Sequence, residues 1–250
     1  MDAPHELELA LLSCGLLGLR HGFDYDHLAA ISDIASVQHN WKEGMRLGSL
    51  YALGHAATVA LLGSAVVFLH ISLPAHMNFW AERLVGLTLI VLAVYVLFSW
   101  MRHGHTHSGS KSRFALLITG VRWLHWKALG LLRYNSPRPP EFSWNYDVGS
   151  VFMIGVVHGL GAETPSQLLL FLLAANLGGT SRGFLGLLAF LIGLLMMNTA
   201  MTASASGLFR ASSGKPRVQS WITVLTAGYS LVVGLIFLIG ASGNLPPLGN

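Results

Sequence analysis

The chain has 250 residues, 53% of them hydrophobic and only 10% charged, with a mean hydropathy of +0.57. A soluble domain carries about 25% charged residues, so this composition excludes a water-soluble fold and indicates a polytopic membrane protein. The net charge of +4 and pI near 9.5 suggest nucleic acid, but the basic residues are placed as a topology signal and no nucleic-acid partner is expected. Cys14 is the single cysteine, which excludes an intrachain disulfide and a thiolate metal cluster. The opening "MDAPHELEL" is acidic and has no basic n-region, so no cleaved signal peptide is expected.

A spanning helix needs about 20 mostly apolar residues. Six segments meet that requirement, at roughly 7–37, 47–69, 84–101, 148–176, 184–209 and 218–240. The first carries "RHGFDYDH", Arg20 to His27, in its middle: two carboxylates, two imidazoles and a guanidinium in eight residues. On an ideal helix His21, Asp24 and His27 share about 120° of one face, while Asp26 points away unless the backbone unwinds. Gly22 in this segment, and Gly159, Gly161 and Pro165 in the fourth, supply what a local break needs. Non-helical backbone at that depth is tolerated only around a cavity or inside protein.

His55 in "LGHAATV" lies on the second span and can complete a site with the first. "HGHTHS", His103–Ser108, follows the third span and reads equally as a transient metal tract or a solvated loop. "FALLITGVRWLHWKALGLLRY", Phe114–Tyr134, is apolar but holds Arg122, His125 and Lys127 near its centre, so it reads as an interfacial helix rather than a span. The fourth span carries "HGLGAET", with His158 and Glu163; the fifth carries Asn198, equally suited to bonding between helices or touching substrate.

Lys42 and Arg46, the loop 102–147 with seven basic residues, and Arg210, Lys215 and Arg217 fall on one side of a six-span topology; Arg83 and Arg182 alone fall on the other. The positive-inside rule then places the long loop in the cytoplasm and both termini outside. An offset of 137 residues aligns His21 with His158, Gly22 with Gly159, Asp26 with Glu163, and Glu82 with Gln219. Three spans per half force the halves, 1–101 and 148–250, into the membrane upside down. Secondary transporters are often built from such inverted repeats, with the substrate site near the midplane where discontinuous helices meet. The expected fold is therefore all-α, with six transmembrane helices in two inverted three-helix repeats and the first and fourth helices broken near the midplane.

Imidazole nitrogen with carboxylate oxygen and no sulfur suits borderline dications such as Ni²⁺, Co²⁺ or Zn²⁺ and is too nitrogen-rich for Mg²⁺ or Ca²⁺. A bound dication also keeps buried aspartates ionised. A ligand-free alternative pairs one aspartate with Arg20 and bonds one histidine to a backbone carbonyl. Intramembrane charge is functional by default, which favours the metal.

At these residues the chain resembles the nickel/cobalt transporter family. The family's signature, histidine, four residues, aspartate, histidine, reads here as His21, "GFDY", Asp26, His27, after Arg20; its leucine-glycine-histidine element reads as Leu53–His55. A later acidic motif has only a loose counterpart in "GLGAETPSQ", Gly159–Gln167. The family typically has eight spans, so the resemblance implies that a first and a last span are missing here. It implies secondary transport of Ni²⁺ or Co²⁺, most simply uptake across the cytoplasmic (inner) membrane, without ATP and without a resident cofactor. No GxxxxGK[ST] loop is present. His21, Asp24, Asp26 and His27 are the first-half ligands in this reading, with His55, Glu163 and His158 completing or gating the site. Efflux through the same site is one alternative. A membrane enzyme is another, since His21 and Asp26 also spell an acyltransferase motif in which histidine is the general base. An electron-transfer protein with His21, His55 and His158 as haem ligands is a third, which the adjacent aspartates disfavour. Neutral imidazole binds metal and protonated imidazole does not, so affinity should fall below about pH 6.5.

Overall fold

The computed structural model describes residues 3–38, 40–69, 75–102, 148–161 and 179–246. Within them the chain is helical: α1 (Ala3–Gly22), α2 (Tyr25–Ser36), α3 (Trp41–Leu69), α4 (Ala75–Arg102), α5 (Val148–Leu160), α6 (Thr180–Ser212) and α7 (Pro216–Leu238), with a short 3₁₀ turn at Ser242–Asn244. Segments in α3, α4, α6 and α7 (Trp41–Leu69, Phe79–Leu97, Thr180–Ser212 and Pro216–Leu238) are long and apolar enough to cross a bilayer. The distribution of polarity fits that medium. His21, Asp26, His27, Asp33, His55, His158 and Asn198 are buried, while Leu61 and Ile239 are 71% and 70% exposed. Helices satisfy their own backbone groups, so apolar side chains can face lipid at no hydrogen-bonding cost. The loop 102–147, with the expected interfacial helix at Phe114–Tyr134 and the histidines of His103–Ser108, lies outside the described residues, as does Glu163.

The first apolar segment is two helices, as its glycine and aspartate suggested. α1 closes with tight i→i−3 bonds, Phe23 N–H to the Arg20 carbonyl and Asp24 N–H to that of His21. α2 restarts from Asp24, whose backbone is extended and whose carboxylate does not cap the helix. α5 ends on the same bond, Gly161 N–H to the His158 carbonyl.

Packing rests on glycines. Gly18 of α1 lies against the Phe190–Leu194 turn of α6, and Gly22 lies against Leu194 and Met197, so α1 and α6 run parallel. Gly54 of α3 meets the Phe152–Val156 turn of α5, and Gly159 meets His55 and Thr58, so α3 and α5 also run parallel. Gly44 facing Ser206, Gly48 facing Thr202 and the Phe68–Phe184 ring contact make α3 and α6 antiparallel. It follows that α5 runs opposite to α1. α4 and α7 are antiparallel, with Tyr95 and Val96 packed on Ala227 and Glu82 accepting from Ser242 N–H at 2.9 Å. α2 lies against α3, α4, α6 and α7, and the Tyr25 hydroxyl donates to the Pro246 carbonyl at 2.8 Å.

A Cβ at Gly155 would collide with the Tyr51 carbonyl, whereas one at exposed Gly207 would meet nothing within 4 Å. Gly155→Ala should therefore destabilise the detergent-solubilised protein by about 1–3 kcal/mol. Gly207→Ala should stabilise it by about 0.5–1 kcal/mol. Thermal unfolding of the two variants side by side measures both signs.

Candidate metal centre

The break between α1 and α2 brings the ionisable groups together. His21 closes α1, where the carbonyl end of the helix favours positive charge; Asp24 and Asp26 open α2, where free N–H groups favour negative charge. Across the break at Gly22–Asp24, His27 comes to stand beside His21, with ring centroids 5.2 Å apart. α3 contributes His55, 5.2 Å from His21 and 4.3 Å from His27 by centroid. Each of the three histidines offers a ring nitrogen, and these atoms lie within 4.8 Å of one another. All three side chains are buried.

The polarity of the cluster can be read atom by atom. His21 Nδ1 is 3.1 Å from Asp24 Oδ2, and His21 Nε2 is 3.1 Å from His55 Nε2. With its proton on Nδ1, His21 donates to Asp24 and turns the Nε2 lone pair into the cluster. The carboxylate that fails to cap α2 thus orients a ring, an arrangement that fixes tautomer and raises basicity in metal-binding histidines. Asp26 is buried, and its Oδ1 has no hydrogen-bond partner among the described residues. Both nitrogens of His27 and Nδ1 of His55 are likewise buried with no hydrogen bond of good geometry there. Water-starved polar atoms carry a desolvation cost of about 1–3 kcal/mol each, and a cation bound among them would relieve it. Phe190 stacks on His21 at 5.5 Å and Tyr51 packs edge-on to His27 at 5.9 Å, closing the cluster with aromatic walls.

The remaining expected residues are placed as follows. His158 is buried on α5, donates from Nδ1 to the Ile154 carbonyl at 2.9 Å, and stands 5.5 Å by ring centroid from Tyr51. Its Nε2 has no partner among the described residues. Asp24, Asp26 and His158 are not part of the group with mutual 4.8 Å spacing. Arg20, which the ligand-free alternative pairs with an aspartate, is exposed and makes no ion pair with either aspartate among the described residues. The reason is helical geometry, since Arg20 immediately precedes His21 and so points about 100° away from it. Tyr51 and buried Asp33 were not anticipated. Tyr51 lies one helical turn before His55 on the same face, a spacing that could have revealed it.

Across 92% of this chain and 91% of the relative, the sequence is 24% identical to the urease accessory protein UreH of Bacillus sp. (strain TB-90). It is 26% identical to the cobalt transport protein NhlF of Rhodococcus rhodochrous over 92% of this chain and 70% of the relative. The nickel transporter NixA of Staphylococcus aureus is 26% identical over 89% of this chain and 70% of its own. No family model matches, and no solved structure matches. The kinship bears out the resemblance to nickel/cobalt transporters, and with the apolar helices it makes the chain a multi-pass membrane protein.

Asp24→Asn keeps the shape of the orienting side chain and removes its charge. Loss of such a partner weakens metal binding by roughly 10–100-fold. Titration of the purified protein with Co²⁺ should show that drop, with thermal stability in the absence of metal nearly unchanged.

Proposed function

We infer, from this kinship with the nickel/cobalt transporter family, that the chain is a secondary transporter of Ni²⁺ or Co²⁺, working as an importer in the cytoplasmic membrane. The observation that carries the reading is the meeting of three buried imidazole nitrogens, from α1, α2 and α3, inside a bundle whose outer face is apolar. His21, His27 and His55 bind the ion directly. Asp24 holds His21 in register, and Asp26 supplies negative charge that offsets the dication in a low-dielectric setting. Glu163 and His158, both from the second half of the chain, gate or complete the site. The chain is not an enzyme in this reading, which rests on relatives named as cobalt and nickel transporters.

The transport framework is six spans in two inverted halves, 1–101 and 148–250, around the loop 102–147. Four features support it. α5 runs opposite to α1. α1 rides on α6 as α5 rides on α3. Gly18 and Gly22 correspond to Gly155 and Gly159 at the offset of 137 that also relates the histidines, and each glycine pair meets its partner helix in the same register. The closing bonds Asp24 N–H to His21 and Gly161 N–H to His158 fall at that offset too. The weight of basic residues puts the long loop in the cytoplasm and both termini outside. Such halves exchange places between inward-open and outward-open arrangements while the site stays near the middle.

Cells expressing the chain should accumulate more radiolabelled nickel or cobalt than controls. Asp26→Asn and His27→Ala, at matched membrane levels, should abolish the gain. Accumulation lowered by the wild-type chain and restored by either substitution would reverse the direction to efflux. Metal content indifferent to the chain and its variants would overturn the transport reading.

A further inference from the structure

Three imidazoles would supply only part of the coordination sphere of a first-row dication, and one buried polar group from another helix lies beside them. Asn198 on α6 is fully buried, and its amide lies against the His27 ring. Neither amide atom, Oδ1 or Nδ2, has a hydrogen bond of good geometry among the described residues, and the same holds for both nitrogens of His27. The turn of α6 that carries Asn198 is the one packed on the helix break, since Gly22 meets Leu194 and Met197. A carboxamide used to bond helices together would have its donors and acceptor engaged, because leaving them unmade costs the full desolvation of the group. Asn198 is instead held at the site with a loosely aligned approach to the His27 ring and no hydrogen bond of good geometry among the described residues. We propose that Asn198 is a further metal-binding residue, its amide oxygen taking the position that His21, His27 and His55 leave open. This rests on the transporter reading given above and deepens it, because it would draw one ligand from the second half of the chain and so span the two halves with a single ion.

The donor set would then be three neutral nitrogens and one neutral oxygen, which fits a borderline first-row dication and leaves the charge balance to Asp26 outside the first contacts. An amide oxygen binds more weakly than a carboxylate, a useful property where the ion has to leave again.

Co²⁺ is the probe, because its visible absorption reports the number and type of its ligands. In purified protein, Asn198→Leu removes the oxygen at nearly constant volume. It should weaken Co²⁺ binding at least 10-fold and change the Co²⁺ spectrum, while the thermal midpoint without metal stays level or rises as an unpaired amide is removed. Asn198→Asp keeps the oxygen in place and adds charge; it should bind Co²⁺ more tightly and shift the spectrum in its own way. Unchanged affinity and spectrum in both variants would overturn the proposal. So would an Asn198→Leu protein that unfolds while Asn198→Asp leaves the spectrum as it was, which is the behaviour of a helix-bonding amide. Wild-type protein that gives no Co²⁺ spectrum at all would overturn the transporter reading itself, a result distinct from either.

Discussion

His21 Nε2 and His55 Nε2 approach to 3.1 Å, and most of the architecture serves to make that contact possible. An imidazole at the end of α1 can reach α3 only if the chain stops being helical there, and stopping a helix in an apolar bundle exposes N–H and C=O groups that lipid cannot satisfy. The structure resolves this with two tight turns at Phe23 and Asp24 and by enclosing the break between α3, α6 and α7. The opposed ends of α1 and α2 then bring their partial charges to the same place, cation-favouring on one side and anion-favouring on the other. Histidine and aspartate are the side chains such a junction can use.

Much of this was legible in the sequence. Apolar runs interrupted by "RHGFDYDH" announced both the membrane and the break, because four ionisable groups in seven residues have no other way to be sheltered. His55 was legible as a helical histidine on the next span, and the structure joins it to the motif. The exposure of Arg20 was not legible, because composition alone does not tell which way a side chain turns when its neighbour faces inward. The distinction between Asp24 and Asp26 was hidden for a similar reason: spacing put Asp24 on the ligand face, and only the torsions at the break show its carboxylate spent on His21 Nδ1. Tyr51 and Phe190 look like ordinary core aromatics in the sequence, and their role as walls depends on tertiary packing.

The glycines explain why sequence similarity between the halves is weak while the helix pairings match. Repetition is kept where backbones touch, at Gly18 and Gly155 and at Gly22 and Gly159, since any Cβ there meets a neighbouring carbonyl or side chain. Lipid-facing positions between them are free to drift among Leu, Ile, Val, Phe and Met at small cost. In the proposed repeat the counterpart of His21 is His158, which is tied to its own helix through Ile154.

Those same crossings seat the site's histidines on different helix pairs. Gly18 and Gly193 hold α1 close to α6, Gly54 and Gly155 hold α3 close to α5, and Gly44 and Gly48 bring α3 against α6. His21 travels with the first pair and His55 with the second. The gap between their nitrogens is therefore a direct measure of how the pairs sit against each other. Shifting one pair by an ångström or two leaves both helices intact but pulls a coordination sphere apart, as metal–nitrogen bonds tolerate only about 0.2 Å of error. In the transporter reading proposed above, ion affinity therefore depends on how whole helix pairs sit against each other, with no side chain having to change its chemistry.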